Sequence, residues 1–296
     1  MAGTVMASGS GTGLLARHAP ERRVLSMVGS DALSVLQDVL TNDVQPLEKG
    51  DPARTVYAAL LTPQGKYLFD FFLLSDGDGG LLIDAGAARA AALGKRLGMY
   101  CLRRDARVAG ELSMATGQLM PADPAGPLPT LPTLPDGARA VPDPRSAGLG
   151  WRLYAADTAT LESAFEAVGS TPLDDAGWAA RRVALAVPET DTELLAEETF
   201  PLEAGLDTLA GIDFRKGCYV GQEVTARMRH KTELKKRLVR VQVTGAAPAG
   251  TPLTTAEGKP AGTLFTQAGG IALAHLRLDR AVGPLTAGDA TVTYVP

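Results

Sequence analysis

The chain has 296 residues, a formal net charge of −4, 45% hydrophobic residues and 21% charged residues. That fits a globular protein with a sizeable core and room for two or three packed units. No apolar run approaches the roughly 20 residues of a membrane helix. Cys101 and Cys218 are the only cysteines. They exclude a disulfide framework, and two thiolates cannot make the usual four-cysteine iron–sulfur site. Residues 1–13 are small and polar, without the apolar core of a secretory signal. The expectation is a disordered leader on a cytoplasmic protein.

Charge is unevenly spread. Residues 214–240 carry nine Lys/Arg against two Glu (+7), while the rest carries 20 against 31 Asp/Glu (−11). A basic segment on an acidic body is either a solvated face or a site for an anion. The candidate anions are a folate glutamate tail, an RNA backbone or an acidic protein. The segment's only aromatics, Phe214 and Tyr219, lie at one end. RNA stacking platforms usually carry more.

In chain order, residues 24–28 predict a strand, and Ser30 offers a helix N-cap. Leu33, Leu36, Val39 and Leu40 follow at helical spacing, and the helix should stop at Thr41, Asn42 and Asp43. Residues 56–61 and 67–74 are apolar runs of strand length around a Pro63-Gln64-Gly65 turn, which predicts a hairpin. Asp70 interrupts the second run. It either faces solvent in the alternation or has a buried partner. A strand at 81–83 and an Ala-rich helix at 87–97 follow. Residues 120–150 hold eight of the twenty prolines and read as a loop or linker without regular structure. A strand at 151–154 and helices at 159–168 and 174–187 come next. From residue 238 onward, alternating strands separated by Gly/Pro turns predict a small all-β unit. An α+β body with a β-barrel-like tail results. His18, His230 and His275 are scattered without metal-ligand spacing, so no metal site is expected.

One segment carries distinctive chemistry. Lys216-Gly217-Cys218-Tyr219-Val220-Gly221-Gln222-Glu223 places a thiol between two glycines and beside Arg215 and Lys216. A cysteine near cations and a helix start gains thiolate character. Cys218 is thus a nucleophile, a redox thiol, a transient metal ligand or a buried structural cysteine.

This octapeptide resembles the signature of the YgfZ family, which includes mitochondrial iron–sulfur assembly factors. Residues 36–44, ending in Thr41-Asn42-Asp43-Val44, resemble the family's first helix. Residues 57–65 resemble the strand and turn after it. Residues 178–189 and 200–203 resemble segments upstream of the signature. The resemblance implies a three-domain ring, like that of glycine-cleavage aminomethyltransferases, around a central folate pocket. It places the folate-binding body at residues 14–237, as two interleaved subdomains, and the barrel at 238–296. The implied function is a tetrahydrofolate-binding factor for assembly or repair of iron–sulfur proteins, including a tRNA-thiolating enzyme. Its partners would be iron–sulfur client or assembly proteins. Cys218 would be the reactive thiol, assisted by Lys216. Asp70, five residues after Gly65, matches the aminomethyltransferases' catalytic Asp. Tyr57, Asn42, Glu203 and Arg227 are carried over as pocket residues. Those enzymes grip the pterin with a Glu two residues after an Arg. Here Arg182 is followed by Val183-Ala184, so that carboxylate is absent. The alternatives are a true aminomethyltransferase, with Asp70 acting on the amine, and an RNA-binding module.

Overall fold

The computed structural model describes residues 13–231 and 234–295. The described residues open with β1 (Leu14–His18) and β2 (Arg22–Val28), then α1 (Ala32–Val39). The hairpin β3 (Val56–Leu61) and β4 (Tyr67–Ser75) follows, then β5 (Leu81–Gly86), α2 (Ala87–Tyr100) and β6 (Arg107–Leu112). β3, β4, β5, β2 and β6 form, in that order, an antiparallel sheet. Both of its faces are covered, which is why β3 and β4 read as continuous apolar runs. Ala58, Leu60, Phe69, Phe71 and Leu73 pack against α1 and α2, while Tyr57, Ala59, Leu61 and Phe72 pack on the opposite face, against residues 187–212. The period of two turns Asp70 to the same side as Phe72.

The helix cap differs from expectation. Asp31, not Ser30, is the N-cap of α1. Ser30 instead donates its N–H and hydroxyl to Asp105, at 3.1 and 2.7 Å.

The second sheet is built from β7 (Ala115–Pro121), β8 (Ala138–Pro142), β9 (Trp151–Ala155) and the two-residue β10 (Thr171–Pro172). With β1 the strand order is β10-β1-β7-β9-β8. α3 (Thr158–Ala167) covers it, burying Leu161 and Ala164. The proline-rich stretch is thus not wholly irregular. The end of β7 and all of β8 lie within it, and β8 pairs with β9. α4 (Asp175–Ala184) starts at an Asp174 cap, whose carboxylate accepts the Gly177 N–H.

After α5 (Gln222–Lys231) come β11 (Lys236–Thr244), β12 (Thr251–Thr254), β13 (Pro260–Ala268), β14 (Ile271–Arg277), β15 (Leu285–Ala287) and β16 (Ala290–Thr293). They close into a six-stranded barrel in the order β11-β14-β13-β12-β15-β16. Val183 of α4 packs on Phe265 and Leu273 of the barrel. The leader expected over residues 1–13 lies, but for Gly13, outside the described residues. Among those residues no helix is long and apolar enough to cross a membrane.

Candidate functional site: a central cavity and a separate thiol loop

The two sheets and α4 enclose a cavity of about 630 Å³. That lies within the range of small-molecule sites. Phe72 and Trp178 are among its lining residues, and Arg22, Arg145 and Arg152 line it as well. Their guanidinium groups stand over the Phe72 ring at 5.4, 4.8 and 3.7 Å. Two fully buried carboxylates hold them there. Asp84 accepts from Arg22 Nε (2.7 Å), Arg152 (2.7 and 3.0 Å) and the Tyr154 hydroxyl (2.7 Å). Asp143 accepts from Arg145 Nε and Nη2, at 3.0 and 2.8 Å, and from Arg152 at 3.3 Å. Burial opposes ionisation of both acids. The facing arginines and hydrogen bonds outweigh it and hold both carboxyls below the usual carboxylate range.

Asp70 lines this cavity and is buried, so it does not face solvent. Its Oδ2 accepts from the Tyr57 hydroxyl at 3.0 Å, and its Oδ1 from the Tyr67 and Thr190 hydroxyls, both at 2.6 Å. Burial, together with the charge of Asp70, pushes both tyrosines well above the usual phenol range. They therefore stay protonated and donate.

The other sequence-derived pocket residues fall elsewhere. Tyr57 is behind the cavity, holding Asp70 without lining it. Asn42 is a staple, donating from Nδ2 to the carbonyls of Tyr57 (2.8 Å) and Ala210 (2.7 Å). Glu203 faces the barrel, 3.3 Å from His275 Nε2. Arg227 is exposed on α5. No described residue of 214–240 lines the cavity. Phe214 and Tyr219 pack against the core instead of standing free for stacking.

Residues that the sequence did not single out complete the site. Arg145 comes from the proline-rich stretch, and Glu189 and Thr190 from the loop after α4. The carboxylate missing beside Arg182 in sequence is present in space. Arg182 Nε lies 3.2 Å from Glu189 Oε2, and its Nη1 donates to Glu193 Oε2 at 3.1 Å. A Val-Pro-Glu string after an Arg-bearing helix was the available signal, but spacing alone could not show that the chain turns back.

The signature loop forms a second locus. Gly65 and Gly221 have φ of +75° and +83° and meet where the β3–β4 turn touches the loop. A Cβ on Gly221 would fall 2.6 Å from the Thr62 carbonyl oxygen, and one on Gly65 would fall 2.8 Å from Val224 Cβ. Both positions therefore need glycine. Gly217 has open space around it. Gln222 Oε1 accepts the Tyr219 N–H at 3.0 Å, fixing the entry to α5, and Glu223 is exposed in its first turn. Lys216 is turned away from solvent chemistry. Its Nζ donates to the carbonyls of Gln37 (2.7 Å), Leu40 (2.5 Å) and Asn42 (3.1 Å). Three donors meet three acceptors at the C-terminal end of α1. Burial pulls its pKa down to about 8, against the pull of Asp43, Asp38 and Asp213. Lys216 thus anchors the loop, and this corrects its assignment as a partner of the thiol. Cys218 is exposed, which removes the buried structural reading, and it precedes α5 by four residues. Cys101, the C-cap of α2, is buried.

Residues 235–296 match the family model described as the CAF17 C-terminal beta-barrel domain. A crystal structure of the glycine cleavage system aminomethyltransferase T from Bartonella henselae superposes with a TM-score of 0.74, over 96% of this chain and 86% of that one, at 16% identity. The fold is therefore the aminomethyltransferase fold with a closed barrel at its end. The human protein named iron-sulfur cluster assembly factor IBA57, mitochondrial, is 32% identical over 89% of this chain and 78% of its own length. The chain belongs to the IBA57 family. A Neurospora crassa IBA57 homologue is 34% identical over 77% of this chain, which spans 54% of that relative. These IBA57 relatives are mitochondrial by name, and this overturns the cytoplasmic placement drawn from the polar leader.

Proposed function

We propose that this IBA57-family chain binds tetrahydrofolate in its central cavity and supports assembly or repair of iron–sulfur proteins through Cys218. Clients would include proteins that act in tRNA modification. The observation that carries the reading is the cavity itself. It is lined by Phe72 and Trp178, by fixed arginines and by the buried, saturated carboxylate of Asp70, inside an aminomethyltransferase fold. Aromatic walls with a few positioned polar groups suit a flat, polar-edged cofactor. The relatives' names supply the iron–sulfur role.

Catalytic aminomethyl transfer by Asp70 is less well supported. Three hydroxyls already donate to its carboxylate, so its oxygens are engaged within the protein before an amine arrives. The thiol belongs to a separate step, because no signature residue lines the cavity. In cells lacking the chain, activity of iron–sulfur enzymes should fall, and wild type should restore it. Cys218→Ser should accumulate to normal levels, since the side chain is exposed, yet restore little. Full restoration by Cys218→Ser would remove the thiol from the function.

A further inference from the structure

We propose that β6 is a docking edge, taking a short extended acidic segment of a partner protein as one more strand. β6 ends the five-stranded sheet and pairs with β2 alone. The opposite edge, β3, is covered by the chain after α1. There the Thr41 N–H donates to the Ala59 carbonyl at 3.0 Å, and the Ala59 N–H donates to Thr41 Oγ1 at 2.9 Å. The other sheet ends in the two-residue β10 and in β8, which finishes at Pro142. The barrel is closed and has no edge. Among the described residues nothing comparable covers β6, and its Arg107, Ala109, Gly110 and Glu111 are exposed. An uncovered edge presents a row of free N–H and C=O groups that another strand can pair. The bulge at Ala109 shortens the regular part of the edge, so the segment that fits is short.

The chain leading into β6 supplies the selectivity. Met99 and Leu102, three residues apart at the end of α2, are 58% and 74% exposed. Residues 95–107 hold five Lys/Arg against one Asp. Arg104 is spent on Ser34, at 2.6 Å, and on Asp31 and Asp38. Asp105 is taken by Ser30, and Glu111 by Arg23 at 3.1 Å. Among the described residues, Lys95, Arg96, Arg103 and Arg107 have no ion-pair partner. The turn that carries them is fixed. The Asp31 N–H donates to the Asp105 carbonyl, and the Asp105 N–H to Asp31 Oδ2, both at 2.9 Å. A Cβ on Gly29 would fall 2.2 Å from the Asp105 carbonyl oxygen, so β2 and the turn meet without room for a side chain. Free cations and two apolar side chains thus stand beside an open edge. In strand addition the backbone bonds give affinity and the flanking side chains give specificity. Unpaired cations favour carboxylates. A second copy of this chain would only add to the excess of positive charge.

The test uses the full chain and two dye-labelled peptides, one alternating glutamate with valine and one alternating lysine with valine. Fluorescence anisotropy reads binding, and amide exchange reads where the peptide sits. The glutamate peptide should bind wild type in preference to the lysine peptide, and it should slow exchange in β6 while leaving β8 unchanged. The double variant Arg103→Glu, Arg107→Glu alters two exposed side chains without partners, so it should fold normally. It should bind the glutamate peptide about 10-fold more weakly or worse. Failure of the glutamate peptide to bind wild type, equal binding by the double variant, or unchanged exchange in β6 would each overturn the proposal. Self-association of wild type that protects β6 without any peptide would assign the edge to a second copy, and would overturn it as well.

Discussion

Asp84→Ala should cost about 3–5 kcal/mol of folding free energy, the range for removing one partner from a buried ion pair. Asp84 sits on β5 and is fully buried. It holds Arg22 of β2 in its own sheet and both Arg152 and Tyr154 of β9 in the other. Alanine would leave two guanidinium groups buried without that counter-charge, and Asp143 could pair with only one of them. The two sheets would lose their main polar tie across the cavity. Urea denaturation at pH 7 measures this, and a loss below 1 kcal/mol would contradict it. The same group sets an acid limit. Its folded pKa lies below the unfolded value of about 3.9. The stabilisation is therefore fully present above the unfolded value and is lost as pH falls through the folded one. Asp143 behaves alike. Wild-type stability should drop as pH falls below about 4, and Asp84→Ala should show a shallower acid slope.

Glu193→Ala should cost about 3 kcal/mol or more for the same reason, at a different joint. Glu193 is buried and joins three elements. Its Oε2 accepts from Arg182 of α4 at 3.1 Å and from the Glu189 N–H at 2.9 Å. Its Oε1 accepts from the Thr266 hydroxyl of the barrel at 2.5 Å. Truncation leaves the buried Arg182 without that anchor and frees one end of the cavity wall. Amide exchange should quicken in α4 and β13, while the β3–β4 hairpin stays protected. Uniform protection in the variant would show that apolar packing of Val183 on Phe265 and Leu273 suffices to hold the barrel.

The local signals were readable where they came from spacing. The β3–β4 hairpin, α1 and the alternating barrel strands all follow from apolar periodicity and glycine or proline turns. The signature was readable because it is contiguous. The buried polar network was not. Asp84 lies far in sequence from the cluster of Asp143, Arg145 and Arg152, and nothing in a single strand tells a buried aspartate from a solvated one. Arg145 was further hidden by its proline-rich setting, where composition suggested a plain loop. Lys216 misled for a related reason. Next to a cysteine in sequence it looks like a chemical partner, but its backbone sends the amine to the end of α1. The carboxylate absent two residues after Arg182 is supplied after a turn, at Glu189 and Glu193.

The central claim is that the ligand cavity and the thiol are separate sites in one chain. Calorimetric titration of tetrahydrofolate into wild type and Cys218→Ala tests it most directly. One bound ligand per chain with the same affinity in both proteins is the expected result, because no signature residue lines the cavity. Loss of binding in Cys218→Ala, or no binding to either protein, would contradict it.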